Sequence, residues 1–113
     1  MQKVLKKITE PYSEYLYRDV SNEVNDNYFV WNYSGDRGGN FCDDKPTVEE
    51  VSIQLHWFVE KEYSFEKAKR EIRRAFLQNG FTYPEVTVLY EKETKLRHIV
   101  FESSILLNIE GDE

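Results

Sequence analysis

The chain has 113 residues, 40% of them hydrophobic and 15% aromatic, a size and composition that suit a single domain (1–113) with one core. With 32% charged residues and a mean hydropathy of -0.69, no stretch is apolar for long enough to span a bilayer, so no membrane partner is expected. A net charge of -6 opposes a surface built to neutralise phosphates, so no specific nucleic-acid binding is expected either.

The opening MQKVLKKIT carries lysines but no apolar core or small-residue cleavage site, so it does not read as a secretion signal, and synthesis in the cytoplasm is expected. The single cysteine, Cys42, has no internal partner for a disulfide. Met1, Val4, Leu5 and Ile8 repeat at helical spacing and predict a short amphipathic helix that Pro11 stops. Tyr12, Tyr15 and Tyr17 follow, either as a short edge strand or as an aromatic patch. Tyr28 to Tyr33 is a strand rich in aromatic and β-branched residues.

From Ser34 to Pro46 the chain is acidic and glycine-rich, and it reads as a long, mobile loop. Thr47 to Val59 is the second strand. Its alternation places Val51, Ile53, Leu55, Trp57 and Val59 on a buried face, with Glu50, Ser52, Gln54 and His56 on a wet one.

The main helix has Ser64 as its predicted cap, Tyr63 as a staple onto Ala68, and Gly80 as its left-handed exit. Phe65, Ala68, Ile72, Ala75 and Phe76 form a stripe that should lie against the sheet. The cluster Lys67, Lys69, Arg70, Arg73 and Arg74 is interleaved with Glu62, Glu66 and Glu71 and reads as a solvated face. Glu66 and Arg70 stand at the favourable spacing of four.

Glu85 to Glu91 alternates as a third strand, and Lys92 to Lys95 is a charged turn. Leu96 to Ile109 is long for one strand. Two readings stand: a break at Ser103 and Ser104, or a projecting arm whose end something outside the domain covers. Residues 110–113 read as a frayed acidic tail. The order predicts an α+β domain: a four-stranded, mainly antiparallel sheet packed by one main helix, with a short N-terminal helix and a long loop between the first two strands.

Patterns for catalysis are weak. His56 and His98 lie far apart in sequence, without a carboxylate or cysteine at metal-ligand spacing. Asp36, Asp43 and Asp44 suit turns better than a hard-cation site. Glu85 with Glu93 and Lys95 faintly echoes the acidic pattern of metal-dependent nucleases, but Glu93 and Lys95 fall in a turn. No catalytic, cofactor-binding or metal residues are assigned, no cofactor is expected, and the chain reads as a non-enzyme. A small acidic adaptor or inhibitor that binds a protein is the alternative reading, and a metal-dependent nuclease is a distant one.

Tyr28-Phe29-Val30-Trp31, Cys42-Asp43-Asp44-Lys45-Pro46, Val51-Ser52-Ile53-Gln54-Leu55-His56-Trp57-Phe58, Gly80-Phe81, Tyr90-Glu91 and His98-Ile99-Val100-Phe101-Glu102 together resemble the small neck or tail-completion proteins of long-tailed bacteriophages and prophages. The resemblance runs from Tyr28 onward and rests on order and spacing. It implies a tail terminator or tail-to-head joining protein, made in the bacterial cytoplasm and placed in the virion. Copies would form a ring, commonly a hexamer, between head-connector and tail-tube proteins, with DNA passing the lumen.

Ring closure needs one surface of each subunit to meet a different surface of the next. The expected interface residues are Tyr12, Tyr15, Tyr17, Asp36, Arg37, Phe41, Asp43 and Asp44. The tyrosines have a second reading, as residues packed on the protein's own sheet.

Overall fold

The computed structural model describes residues 1–19, 26–42 and 45–108, with the backbone alone at 36–42, 45–47 and 108. Its elements run α1 (Gln2–Thr9), β1 (Leu16–Arg18), β2 (Asn27–Cys42), β3 (Lys45–Glu60), α2 (Glu66–Gln78), β4 (Glu85–Glu91) and β5 (Leu96–Asn108). The strands form one mixed sheet in the order β1-β2-β3-β5-β4, and β1 alone pairs in parallel. The α+β class is as expected. The sheet has five strands where four were predicted, because Leu16, Tyr17 and Arg18 add a short edge strand beside Phe29, Val30 and Trp31.

Both helices lie on one side of the sheet. Leu5 and Ile8 of α1, with Ala68, Ile72 and Phe76 of α2, bury against Phe29, Trp31, Val51, Ile53, Leu55, Trp57, Ile99 and Phe101. Each strand contributes alternate residues, as its pleat requires. The two buried indoles satisfy their N–H groups: Trp57 Nε1 donates to Asn27 Oδ1 at 2.6 Å, and Trp31 Nε1 to Gln2 Oε1. Asn27 in turn donates to the Tyr12 carbonyl, so the same asparagine seats Trp57 and ties the segment after α1 to the start of β2.

The predicted loop from Ser34 to Pro46 is corrected. Backbone pairing continues past a bulge at Ser34, through Gly35↔Ser52 and Arg37↔Glu50, as far as Cys42↔Lys45. Glycine, aspartate and asparagine are poor strand formers, so composition alone does not point to a strand here. Pairing with β3, itself held by β5 as far as Val48↔Asn108, supplies the order that composition does not advertise. Sixteen residues of β2 extend about 50 Å at roughly 3.3 Å each, matching the 53 Å long axis of the molecule.

β5 has no break at the serines, since its pairing with β3 is continuous through Ser52↔Ser104 and Ile53↔Ser103. The serines serve the segment after α2 instead. Ser103 Oγ donates to the Thr82 carbonyl at 2.7 Å, and the Thr82 N–H donates to the Ser104 carbonyl at 2.8 Å.

α2 starts one residue later than predicted. Phe65 stands at the N-cap without a side-chain hydrogen bond, so Ser64 does not cap it. Glu66 reaches Lys69 at 3.3 Å; no contact with Arg70 accompanies it among the described residues. The C-terminus is as expected. Gly80 has φ +90°, Phe81 N–H donates to the Phe76 carbonyl at 3.0 Å, Gly80 N–H donates to the Leu77 carbonyl, and the rings of Phe76 and Phe81 meet edge-on at 5.0 Å. A Cβ at Gly80 would touch only Ile105 Cδ1, at an ordinary 3.6 Å. Gly80→Ala is therefore expected to cost about 1–2 kcal/mol from backbone strain alone, read as a lower urea midpoint at unchanged slope.

Candidate functional site

The helix side of the sheet is filled, so the opposite side is where side chains remain open to a partner. Register stacks its residues in rows: Tyr28, Phe58, His98 and Leu89; then Val30, His56, Val100 and Thr87; then Asn32, Gln54, Glu102 and Glu85. The expectation of a wholly wet face is corrected here. Val30 and Val100 are buried, and His56, His98, Tyr28 and Phe58 are partly covered, although no helix packs on this side among the described residues.

A shallow cleft of about 340 Å³ lies on this face, lined by Asp19, Tyr28, Val30, Asn32, His56, Phe58 and His98. Asp19 enters it from the end of β1 in the left-handed region, at φ 67°, a conformation aspartate tolerates better than most residues. Its N–H donates to the Trp31 carbonyl at 2.7 Å, which holds the turn. Aromatic stacking builds the floor, with Phe58 4.3 Å from the His98 ring and 4.8 Å from Tyr28.

A polar chain crosses four strands. His56 Nε2 lies 3.0 Å from Asn32 Oδ1, His56 Nδ1 lies 2.7 Å from His98 Nε2, and His98 Nδ1 lies 3.4 Å from Glu91 Oε2. Three contacts to acceptors need three N–H groups, whereas two neutral imidazoles supply two. The longest contact, to Glu91, is the one left without a hydrogen in the neutral pair. One added proton, shared by the pair, would complete the chain.

Burial pushes both histidines below their usual range. His98 adds to the lowering at His56, while Glu102 and Glu91 oppose it there; Glu91 opposes it at His98. Tyr28 is raised, first by burial and then by Glu91 and Tyr17.

A lowered histidine pKa means that the unfolded chain binds protons first, from its ordinary value of 6.5. Stability from this pair is complete above that value and is lost as pH falls through the window below it, towards the lowered folded values. The melting temperature is expected to drop between about pH 7.5 and about pH 5.5, above the main carboxylate titration. In the double variant His56→Gln, His98→Gln that slope should largely vanish.

The 2.7 Å separation marks hydrogen bonding rather than ligation. Two nitrogens on one tetrahedral zinc, each at about 2.0–2.1 Å, stand about 3.3 Å apart. No group of three or more metal-ligating side chains is assembled among the described residues. Glu85 begins β4 while Glu93 and Lys95 follow its far end, so the nuclease-like residues do not share a site. What the cleft offers chemically is the two histidines, the Asn32 amide and one carboxylate, Asp19, whose Oδ2 lies 3.7 Å from Arg18 Nε.

The predicted interface residues separate. Tyr12 packs towards the core, 6.0 Å from the Trp57 ring, and donates to Glu71 Oε1 at 2.7 Å; burial and that hydrogen bond raise its pKa. Tyr15 stacks on Tyr17 at 6.4 Å, and Tyr17 meets Tyr28 at 6.3 Å on the open face. Tyr12 thus follows the reading as a residue packed on the protein's own sheet, while Tyr15 and Tyr17 lie beside Tyr28 on the open face. Asp36, Arg37 and Phe41 lie on the projecting part of β2, described by backbone alone, and Asp43 and Asp44 fall outside the described residues.

The histidine pair was not foreseen. Its signal was present in Val30, Phe58 and Val100, apolar residues at the supposedly wet positions of three strands. Against known proteins, no family matches the chain and no curated sequence does.

Proposed function

We propose that this chain is a non-enzymatic structural protein of a phage or prophage virion. It would form a ring at the head–tail junction or tail end, as a tail terminator or tail-to-head joining protein. The observation that carries the reading is the β2–β3 hairpin, whose paired backbone continues to Cys42 and Lys45 while the helices cover only the body of the sheet. β1 pairs with β2 only at Phe29, Val30 and Trp31, so further along β2 has no partner on its outer edge among the described residues. A strand edge left without a partner is material for pairing with another chain. The motif order from Tyr28 onward supports the same role. Neighbours in this reading are further copies of the chain, head-connector proteins and tail-tube proteins, and the net charge of -6 lets DNA pass the ring without adhering.

Static light scattering and negative-stain imaging of the concentrated chain test this, together with mass spectrometry of purified tailed particles. Six-membered rings and the chain's presence in particles are expected. Its absence from particles would overturn the reading.

A further inference from the structure

The open sheet face is acidic, and one stripe of α2 is basic although Glu66 and Glu71 lie on the same helix. On the open sheet face, strand positions carry Glu60, Glu85, Glu91 and Glu102, with Asp19 at the cleft. No lysine or arginine stands in the three rows of this face or beside Glu60, Leu96 and Glu91 at their end. On the other side, Lys67, Arg70, Arg74 and Leu77 project from α2 within an arc of about 80° at roughly 100° per residue, and all four are exposed. Lys3 and Lys7 of α1 are exposed in the same layer.

Neighbouring cations on α2 are engaged within the chain. Lys69 pairs with Glu66, and Arg73 donates to the Pro84 carbonyl at 3.0 Å while covering the Tyr83 ring. Lys67, Arg70 and Arg74 have no such partner among the described residues. Three unpaired cations and an exposed leucine therefore form a stripe on one face. Its complement, the carboxylates of Glu60, Glu85, Glu91 and Glu102, occupies the opposite face of the same molecule.

We propose that the Lys67–Arg70–Arg74–Leu77 stripe of one copy docks on the open sheet face of a second copy, with its cations set against Glu85, Glu91 and Glu102. The inference rests on the ring reading and adds a second contact between neighbouring copies beside the edge pairing of the arm. Cations suit this face because the exposed carboxylates of Glu60, Glu85 and Glu102 have no lysine or arginine partner among the described residues. The two surfaces lie on opposite sides of a two-layer body, so the contact is heterologous and passes from copy to copy, closing into a ring if the rotation between copies allows. A nucleic acid is a poorer occupant for the basic stripe, since the chain as a whole repels phosphates.

The test uses sedimentation velocity on two charge-reversed chains. One carries Arg70→Glu and Arg74→Glu; the other carries Glu91→Lys and Glu102→Lys. At about 20 mM salt, where screening is weak, the wild type should self-associate and each variant alone should do so at least about tenfold more weakly. An equimolar mixture should recover association, because every basic surface again meets an acidic one. Recovery also shows that both variants are folded. The milder pair Arg70→Gln and Arg74→Gln should weaken association in the same direction.

A wild type that stays monomeric, variants that associate as it does, or a mixture no better than its parts would each overturn the pairing. Rings persisting in both variants would remove the pairing and leave the ring reading standing. A rescued mixture from a chain missing in purified particles would support the pairing and remove the virion placement.

Discussion

Trp57→Ala is expected to destabilise the protein by about 3–5 kcal/mol, the range for deleting a large buried aromatic. Trp57 is fully buried near the end of β3, the central strand of the sheet, stacked on Phe29 at 5.2 Å and met by Tyr63 at 5.6 Å and Tyr12 at 6.0 Å. Its loss empties the space between sheet and helix layer and also removes the indole N–H held by Asn27 Oδ1. Asn27 anchors the Tyr12 carbonyl and, through its own carbonyl, Ser13, so the junction of α1 with the sheet should loosen as well. A domain of this size has about 5–15 kcal/mol in total, so a large share of its stability should disappear. Urea unfolding checks this, and a loss below about 1 kcal/mol would contradict the packing described. Trp57→Phe, which keeps an aromatic body but no donor, should fall between the two.

Shortening the arm should have the opposite profile, with little change in stability and complete loss of ring assembly. Arg37 and Glu50 are paired across the hairpin, so residues 38–49 can be replaced by Asn-Gly, a two-residue turn that matches strand twist. Among the residues whose burial is described, none of the core lies in the deleted stretch. β5 loses its partners at Leu107 and Asn108 only, and a shorter loop recovers some closure entropy. The melting temperature is expected to move by only a few degrees, corresponding to about 1 kcal/mol. Rings should be absent in negative stain at concentrations where the full chain forms them. Intact rings from the shortened chain would show that the arm is not what joins the subunits.

These two outcomes separate the parts of the molecule by physical role. The body is held by burial, so it should respond to volume and to unsatisfied donors. The arm carries long backbone ladders beyond the helix layer, so its removal should be visible mainly in what the protein can join. The histidine pair, half-covered on the open face, stands between the two and should respond to protons.

Local chemistry announced much of the body. The stripes Leu5 with Ile8, Ala68 with Ile72 and Phe76, and Val51 to Val59 all bury as their periods require, because one-sided burial writes a period into a sequence. Gly80 ends α2 as its left-handed geometry demands. Gly35 to Cys42, rich in residues that form strands poorly, reads as a loop, and only the β3 and β5 ladders make it a strand.

The same limit applies to function. The two helices, the strands of the body with their inward residues, and the overall acidity are determined by the sequence alone, since each follows from neighbours along the chain. The meeting of His56 with His98, forty-two positions later, depends on strand register. So does the gathering of carboxylates opposite the α2 stripe. Register is decided by burial summed over whole strands, a tertiary quantity, and no local window of residues contains it.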